Sequence, residues 1–239
     1  MTQQKKTIRP LVFLHGWGTD SWVWHRQISH FQHTRPIHRP TIVRWRKETV
    51  LELFDDNELD EAILIGWSLG GMLALETFAK LKQRMAGIVL VGASARFCRG
   101  QDYPLGIEPV RLRAMKQRLH HEMSSTLEDF FGLFFTSQEK QARIDFEGFS
   151  KSSPGAESCR EGLEYLMRKD LRPLLPLVDK PTLIVHGEHD QIAPLGQAEY
   201  LHRSIEGSTL LILEGCGHMP FYSRARIFNN TLEDFCRVC

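Results

Sequence analysis

Residues 62–80, AILIGWSLGGMLALETFAK, change period midway. The stretch opens as an apolar run of strand length and continues with the spacing of a helix. Gly66, Ser68, Gly70 and Gly71 lie at the join. A strand that becomes a helix over so few residues forces two backbones together, and glycines remove the side chains that would collide there. Gly66-Trp67-Ser68-Leu69-Gly70 fits G-x-S-x-G, and a strand–turn–helix setting is the context that gives this motif its chemical meaning. Ser68 would stand at the tip of the turn, near the positive end of the following helix, where a developing oxyanion is favoured. The same pattern also suits a glycine-rich βα loop that holds a phosphate. The nucleophile reading requires a histidine and a carboxylate elsewhere in the chain, and the loop reading requires neither.

Both partners are present. In LIVHGEHDQIAP, Asp190 follows a strand ending near His186; in LEGCGHMPF, His218 follows a strand ending near Leu213. If these strands run parallel to the one before Ser68, all three side chains emerge at one edge of the sheet. His218 would then act as general base toward Ser68, with Asp190 orienting the imidazole. Glu188 and His189 are the rivals in sequence for the acid and base roles. FLHGWG, residues 13–18, follows the first core strand and offers a backbone N–H at Trp17 as one oxyanion donor, with the N–H of Leu69 as the other.

The strand rhythm supports this placement. LVFL, TIVRW, AILI and GIVLVGA alternate with helix-length segments, as do PTLIVHG and STLLILEG later in the chain. That alternation predicts an α/β fold, with a mostly parallel central sheet flanked by helices. Residues 96–167 break the rhythm: they are charged, rich in Phe and helical in spacing. They read as a helical lid inserted into a core made of residues 1–95 and 168–239. Within the lid, FFGLF (residues 130–134) is too apolar for an exposed helix.

The chain has 239 residues and a net charge of +1, so no global field points to nucleic acid or a membrane surface. MTQQKKTIRP has no apolar segment behind its lysines, and no run is long enough to span a bilayer; a cytoplasmic protein is expected. Five scattered cysteines suit reduced thiols, and the terminal Cys236–Cys239 pair lacks the further ligands a zinc site needs. Neither a metal nor a cofactor is expected.

LVFLHGWG, LIGWSLGGMLAL, GLEYLMRKDLRPLL, HGEHDQIAP and GCGHMPF together resemble the α/β-hydrolase superfamily. More narrowly they resemble the pimeloyl-[acyl-carrier protein] methyl ester esterases of biotin synthesis. The resemblance implies a serine esterase acting as a monomer on an acyl-carrier-protein substrate, with Ser68, Asp190 and His218 as the triad. It implies that Trp17, Ser68, Leu69 and His218 meet the ester, and that Phe130, Phe131, Leu133 and Phe134 line the acyl pocket. It also implies that basic lid residues meet the acidic carrier, here Arg113, Lys116 and Arg143. A solvated helix face is the plain alternative for those charges. Two departures alter the rim of the site: TIVRWRKETVLELF replaces the family's DLPGFGRS-like loop, and few residues precede LVFLHG, too few for the superfamily's first hairpin. A broad small-ester hydrolase or thioesterase, and a ligand-binding receptor of the same fold, remain as alternatives.

Overall fold

The computed structural model describes residues 8–141 and 154–239. Among them, six strands form one sheet: β1 (Leu11–Leu14), β2 (Ile37–His38), β3 (Ala62–Trp67), β4 (Met85–Val91), β5 (Thr182–Gly187) and β6 (Thr209–Leu213). Their order is β2-β1-β3-β4-β5-β6. Every neighbouring pair is parallel. Every residue of β1, β3, β4 and β5 is buried, as a parallel sheet covered on both faces requires.

The helices covering it follow their sequence patterns. α1 (His25–Phe31) packs on α10 (Ala225–Val238), which the short α9 (Pro220–Ser223) precedes, and α2 (Lys47–Asp56) packs on α3 (Leu69–Leu81), which lies on β3. Helix α10 is strongly amphipathic. It buries Phe228, Leu232 and Phe235, and places Phe235 and Cys239 against Gly87 of β4. Cys236 and Cys239 are therefore packing residues, and burial pushes the Cys239 thiol up to about 12. α8 (Leu195–Ser204) covers β5.

One expected strand is absent. TIVRW, residues 41–45, is irregular, and the edge pairing with β1 is made instead by Ile37 and His38. Within TIVRW, the backbone of Ile42 is committed to side chains. The Ile42 amide donates to His15 Nε2 at 2.8 Å, and Ser158 Oγ donates to the Ile42 carbonyl at 3.4 Å. Trp45 Nε1 also donates to Ser158 Oγ, at 3.1 Å. With both of its backbone polar groups satisfied this way, Ile42 takes no part in the pairing with β1.

Between β4 and β5 lie α4 (Pro109–His121), α5 (Met123–Phe131), α6 (Ser137–Gln141) and α7 (Ala156–Arg168), with α4 packed on both α5 and α7. The two ends of this stretch meet at a narrow neck. The Leu171 amide donates to the Ala95 carbonyl at 2.8 Å, and Arg96 pairs with Asp170. Arg172 joins the same network by binding Asp170 and Asp102. Among the described residues, no helix is long and apolar enough to cross a membrane, and no three His, Cys, Asp or Glu side chains are grouped to hold a metal.

Candidate active site

Ser68 sits between β3 and α3 with φ 55° and ψ −117°. The close approach anticipated from the glycines is severe. A Cβ on Gly66 would lie 2.5 Å from the Gly70 carbonyl oxygen, and one on Gly70 would lie 2.4 Å from that of His15. The turn is pinned by Ser68 N–H donating to Val91 O at 2.8 Å and by Gly71 N–H donating to Ser68 O at 3.0 Å. Ser68 retains 8% of its surface exposed, at the wall of an apolar slot.

His218 and Asp190 meet at the same sheet edge, each in the loop after its strand. Nδ1 of His218 lies 2.6 Å from Asp190 Oδ2. A carboxylate can only accept, so Nδ1 carries the proton and Nε2 is left as an acceptor. The other oxygen, Oδ1, accepts the amides of Ile192 and Ala193 at 2.8 and 2.9 Å. Burial by itself pushes the Asp190 carboxyl up, but His218, His186 and the Ala193 amide outweigh it and hold the group below its ordinary value. The imidazole of His218 is wholly buried, and among the described residues its Nε2 has no hydrogen-bond partner. It rests on Gly92, where a Cβ would come within 3.2 Å of the ring, and its carbonyl accepts Trp67 Nε1–H at 2.9 Å. Trp67 is bonded to Ser68 in the chain, and Gly92 follows the Val91 that binds Ser68. Glu188 lies outside this pair: exposed, it accepts the Gly215 amide at 3.0 Å and pairs with His189.

Three further polar residues, unremarked in the sequence patterns, position these groups. His186, at the end of β5, donates from Nε2 to the Ala193 carbonyl at 2.7 Å and lies 3.4 Å from Asp190 Oδ2. Burial pushes its pKa down, with Asp190 opposing. Glu139 of α6 is buried, and its Oε2 accepts the amides of Thr136 at 2.7 Å and Gly217 at 2.9 Å. Together with the 2.8 Å bond from His218 N–H to Phe134 O, it ties the histidine loop to the stretch between β4 and β5. His15 braces the turn after β1: Nδ1–H donates to Gly16 O at 2.9 Å, and Nε2 accepts the Ile42 amide. In that turn lies Trp17, whose indole donates to Cys159 O at 2.7 Å. Leu69 opens α3, so its amide is one of the donors that a helix leaves without an internal acceptor.

The slot beside Ser68 is a narrow cavity of about 110 Å³. Trp17, Phe130 and Leu133 line it, as do Leu112 and Met115 of α4 and Leu163 and Leu166 of α7. Phe131 and Phe134 lie behind it. Phe134 is fully buried against Trp67, ring centroids 5.3 Å apart, and Phe131 packs on Phe134 at 5.2 Å. Arg113 and Lys116 face a separate surface groove of about 730 Å³ with Arg160 and Arg168. Lys116 pairs with Glu164, whereas Arg113 has no carboxylate within ion-pairing distance among the described residues. Arg143 lies outside the described residues.

The environment of His15 carries a pH dependence. Burial lowers its pKa from 6.5 to about 4, against weaker opposing effects of Gly16 and Asp20. It is neutral in the folded protein and charges freely in the unfolded chain. Its contribution to stability is therefore complete above pH 6.5 and is lost as the pH falls towards 4. A displacement of that size corresponds to about 3 kcal/mol. His186 adds a loss of the same sign. Urea unfolding between about pH 7 and about pH 4.5 should show His15→Gln less stable than wild type at the upper pH but with a shallower decline. An equally steep decline in the variant would contradict the assignment.

Residues 48–225 match the alpha/beta hydrolase fold family. A protein of Nitrosomonas europaea named pimeloyl-[acyl-carrier protein] methyl ester esterase is 30% identical over 227 residues, covering 89% of this chain and 90% of its own. One of the same name from Nitrosospira multiformis is 30% identical over 247 residues, covering 95% and 94%. Among solved structures, an esterase from Exiguobacterium antarcticum superposes with a TM-score of 0.86 at 24% identity, over 97% of this chain and 93% of that one. A bromoperoxidase from Bacillus anthracis superposes with a TM-score of 0.87 at 20% identity, over 96% and 92%. At such identities the two superpositions speak for the fold alone. The fold, the family match and the similarity to the two named relatives agree: this chain belongs to the α/β-hydrolase fold family, similar over nearly its whole length to its pimeloyl-[acyl-carrier protein] methyl ester esterases.

Proposed function

We propose that the chain is a serine carboxylesterase with Ser68, His218 and Asp190 as its triad, and that it hydrolyses the methyl ester of a pimeloyl-type acyl chain on acyl-carrier protein, in the cytoplasm, for biotin synthesis. One observation carries the reading. His218 has Nδ1 tied to Asp190 at 2.6 Å while its buried Nε2 has no partner. A buried acceptor is costly to leave unpaired, and the group next to it is the one it serves. In the reaction, Ser68 Oγ attacks the ester carbonyl as His218 Nε2 takes its proton. The carbonyl electron pair moves to oxygen, and the resulting oxyanion is held by the N–H groups of Leu69 and Trp17. Collapse of the adduct expels methanol, which leaves with the proton returned from Nε2. Water then repeats the sequence on the acyl-enzyme and frees the acid. Asp190 stays ionised throughout and stabilises the imidazolium.

The names of the two relatives support the substrate. We assign residues 96–167 as the lid over a core of residues 1–95 and 168–239; the neck at Ala95 and Leu171 supports that division. Trp17, Phe130 and Leu133 would hold the acyl chain, with Phe131 and Phe134 backing the wall. Arg113, Lys116 and Arg143 would meet the acidic carrier on a protein that acts as a monomer. One observation favours the second reading, a broad small-ester hydrolase with no carrier: Arg96, Arg99, Lys116 and Arg118 are already paired with Asp170, Glu108, Glu164 and Asp129.

Ser68→Ala should lower ester turnover on the order of 10⁴-fold with an unchanged circular-dichroism spectrum, and Asp190→Asn should act in the same direction by favouring the wrong tautomer. Turnover surviving in Ser68→Ala would end the assignment. Reversing the charges of Arg113, Lys116 and Arg143 together should lower the ratio of kcat/KM for a carrier-linked ester to that for a small ester by about tenfold at low salt, and by less at high salt. A ratio unchanged at both would favour the hydrolase without a carrier.

A further inference from the structure

Helix α4 presents two faces to two different spaces. Leu112 and Met115 line the slot beside Ser68, whereas Arg113 and Lys116 line the separate surface groove. One basic residue stands on the slot side: Arg111 shares the cavity with Ser68. It is the single charged side chain in a wall that is otherwise apolar apart from Ser68 and Gln191. Ser68 is buried and Arg111 is exposed, and both line this cavity. Among the described residues, no carboxylate lies within ion-pairing distance of Arg111. Its neighbours differ: Arg99 is held by Glu108 at 2.8 Å and Arg118 by Asp129 at 2.8 Å.

An apolar slot whose wall holds both a reacting serine and an unneutralised guanidinium matches a particular ligand shape. The ligand has an ester at one end of an aliphatic chain and a negative group at the other. A plain fatty ester would leave the cation without use, and an ester with a cationic tail would be repelled. Guanidinium binds carboxylate and phosphate alike through paired N–H donors. We propose that Arg111 is the specificity-determining residue of the acyl slot, selecting esters whose chain carries an anion at the end remote from the scissile bond. The proposal rests on the esterase reading above. The anion is a carboxylate if the substrate is a free half-ester of a dicarboxylic acid, and a phosphodiester if the chain hangs on the phosphopantetheine arm of a carrier.

The test compares kcat/KM for the monomethyl ester of a straight-chain dicarboxylic acid with that for an uncharged methyl ester of equal chain length. A parallel pair compares the methyl-ester acyl chain on phosphopantetheine with the same chain on pantetheine. Arg111 is exposed, and an exposed ion pair is a modest effect. The anionic-over-neutral preference should therefore fall about fivefold in Arg111→Gln, chiefly through KM, and be largely kept in Arg111→Lys. Arg118→Gln, which removes a paired arginine away from the slot, should keep the wild-type preference. Loss of preference in the first pair identifies the carboxylate, and loss in the second identifies the phosphodiester; either supports the proposal. A preference unchanged in Arg111→Gln, or lowered equally in Arg118→Gln, overturns it. A wild-type protein that hydrolyses neither the charged nor the neutral esters would instead overturn the esterase reading, and the inference with it.

Discussion

The backbone of Ser68, at φ 55° and ψ −117°, lies where residues with side chains are held only by strong surroundings. Such a conformation costs about 1–3 kcal/mol. It is kept because α3 and β3 meet with no room for a side chain at Gly66 or Gly70, and because the Ser68 amide is tied to Val91 on the next strand. The other parts of the site are arranged around that turn. The Leu69 amide lies in the first turn of α3 and so has no acceptor within that helix. The ring of His218 lies on Gly92, one residue beyond Val91, and its carbonyl is fixed by the indole of Trp67.

Around this turn the protein buries an unusual set of polar groups, and each has a stated partner. Asp190 accepts two amides and an imidazole, Glu139 accepts two amides, and His15 and His186 each donate to a backbone carbonyl. A buried polar network rigidifies a site when satisfied and is costly when it is not. Three atoms of this network are exceptions: Nε2 of His218, Oε1 of Glu139 and Nδ1 of His186 are buried without a partner among the described residues. Glu139 also links the histidine loop to the stretch between β4 and β5, so a displacement of α6 would reach His218 through the Gly217 amide.

Much of this was legible in the sequence, because strand-ending motifs carry strong local signals. The elbow glycines, the loop after His186 and the GCGHMPF turn each identify a residue that the topology then brings to one sheet edge. The edge strand was not legible. TIVRW has good strand composition, yet the backbone of its Ile42 is claimed by His15 and Ser158, residues 27 and 116 positions away. Glu139 and His186 escaped notice for a similar reason, since their partners are backbone groups set by tertiary packing. The basic lid is a different case. The sequence shows its Arg and Lys as one charged face, whereas Arg96, Arg99, Lys116 and Arg118 pair with Asp170, Glu108, Glu164 and Asp129. Phe130 to Phe134 read as one apolar patch, but α5 ends at Phe131 and the chain turns there, so that Phe130 and Leu133 line the slot and Phe131 and Phe134 pack behind it.

The central claim is that the buried, partnerless Nε2 of His218 serves the oxygen of Ser68. Rapid mixing of the protein with an activated ester, followed by acid quench and peptide mapping, tests it most directly. The account predicts a burst of about one equivalent of alcohol per chain and an acyl group recovered on Ser68, with the burst suppressed in His218→Ala. An acyl group recovered on another residue, or a full burst that persists in His218→Ala, would contradict it.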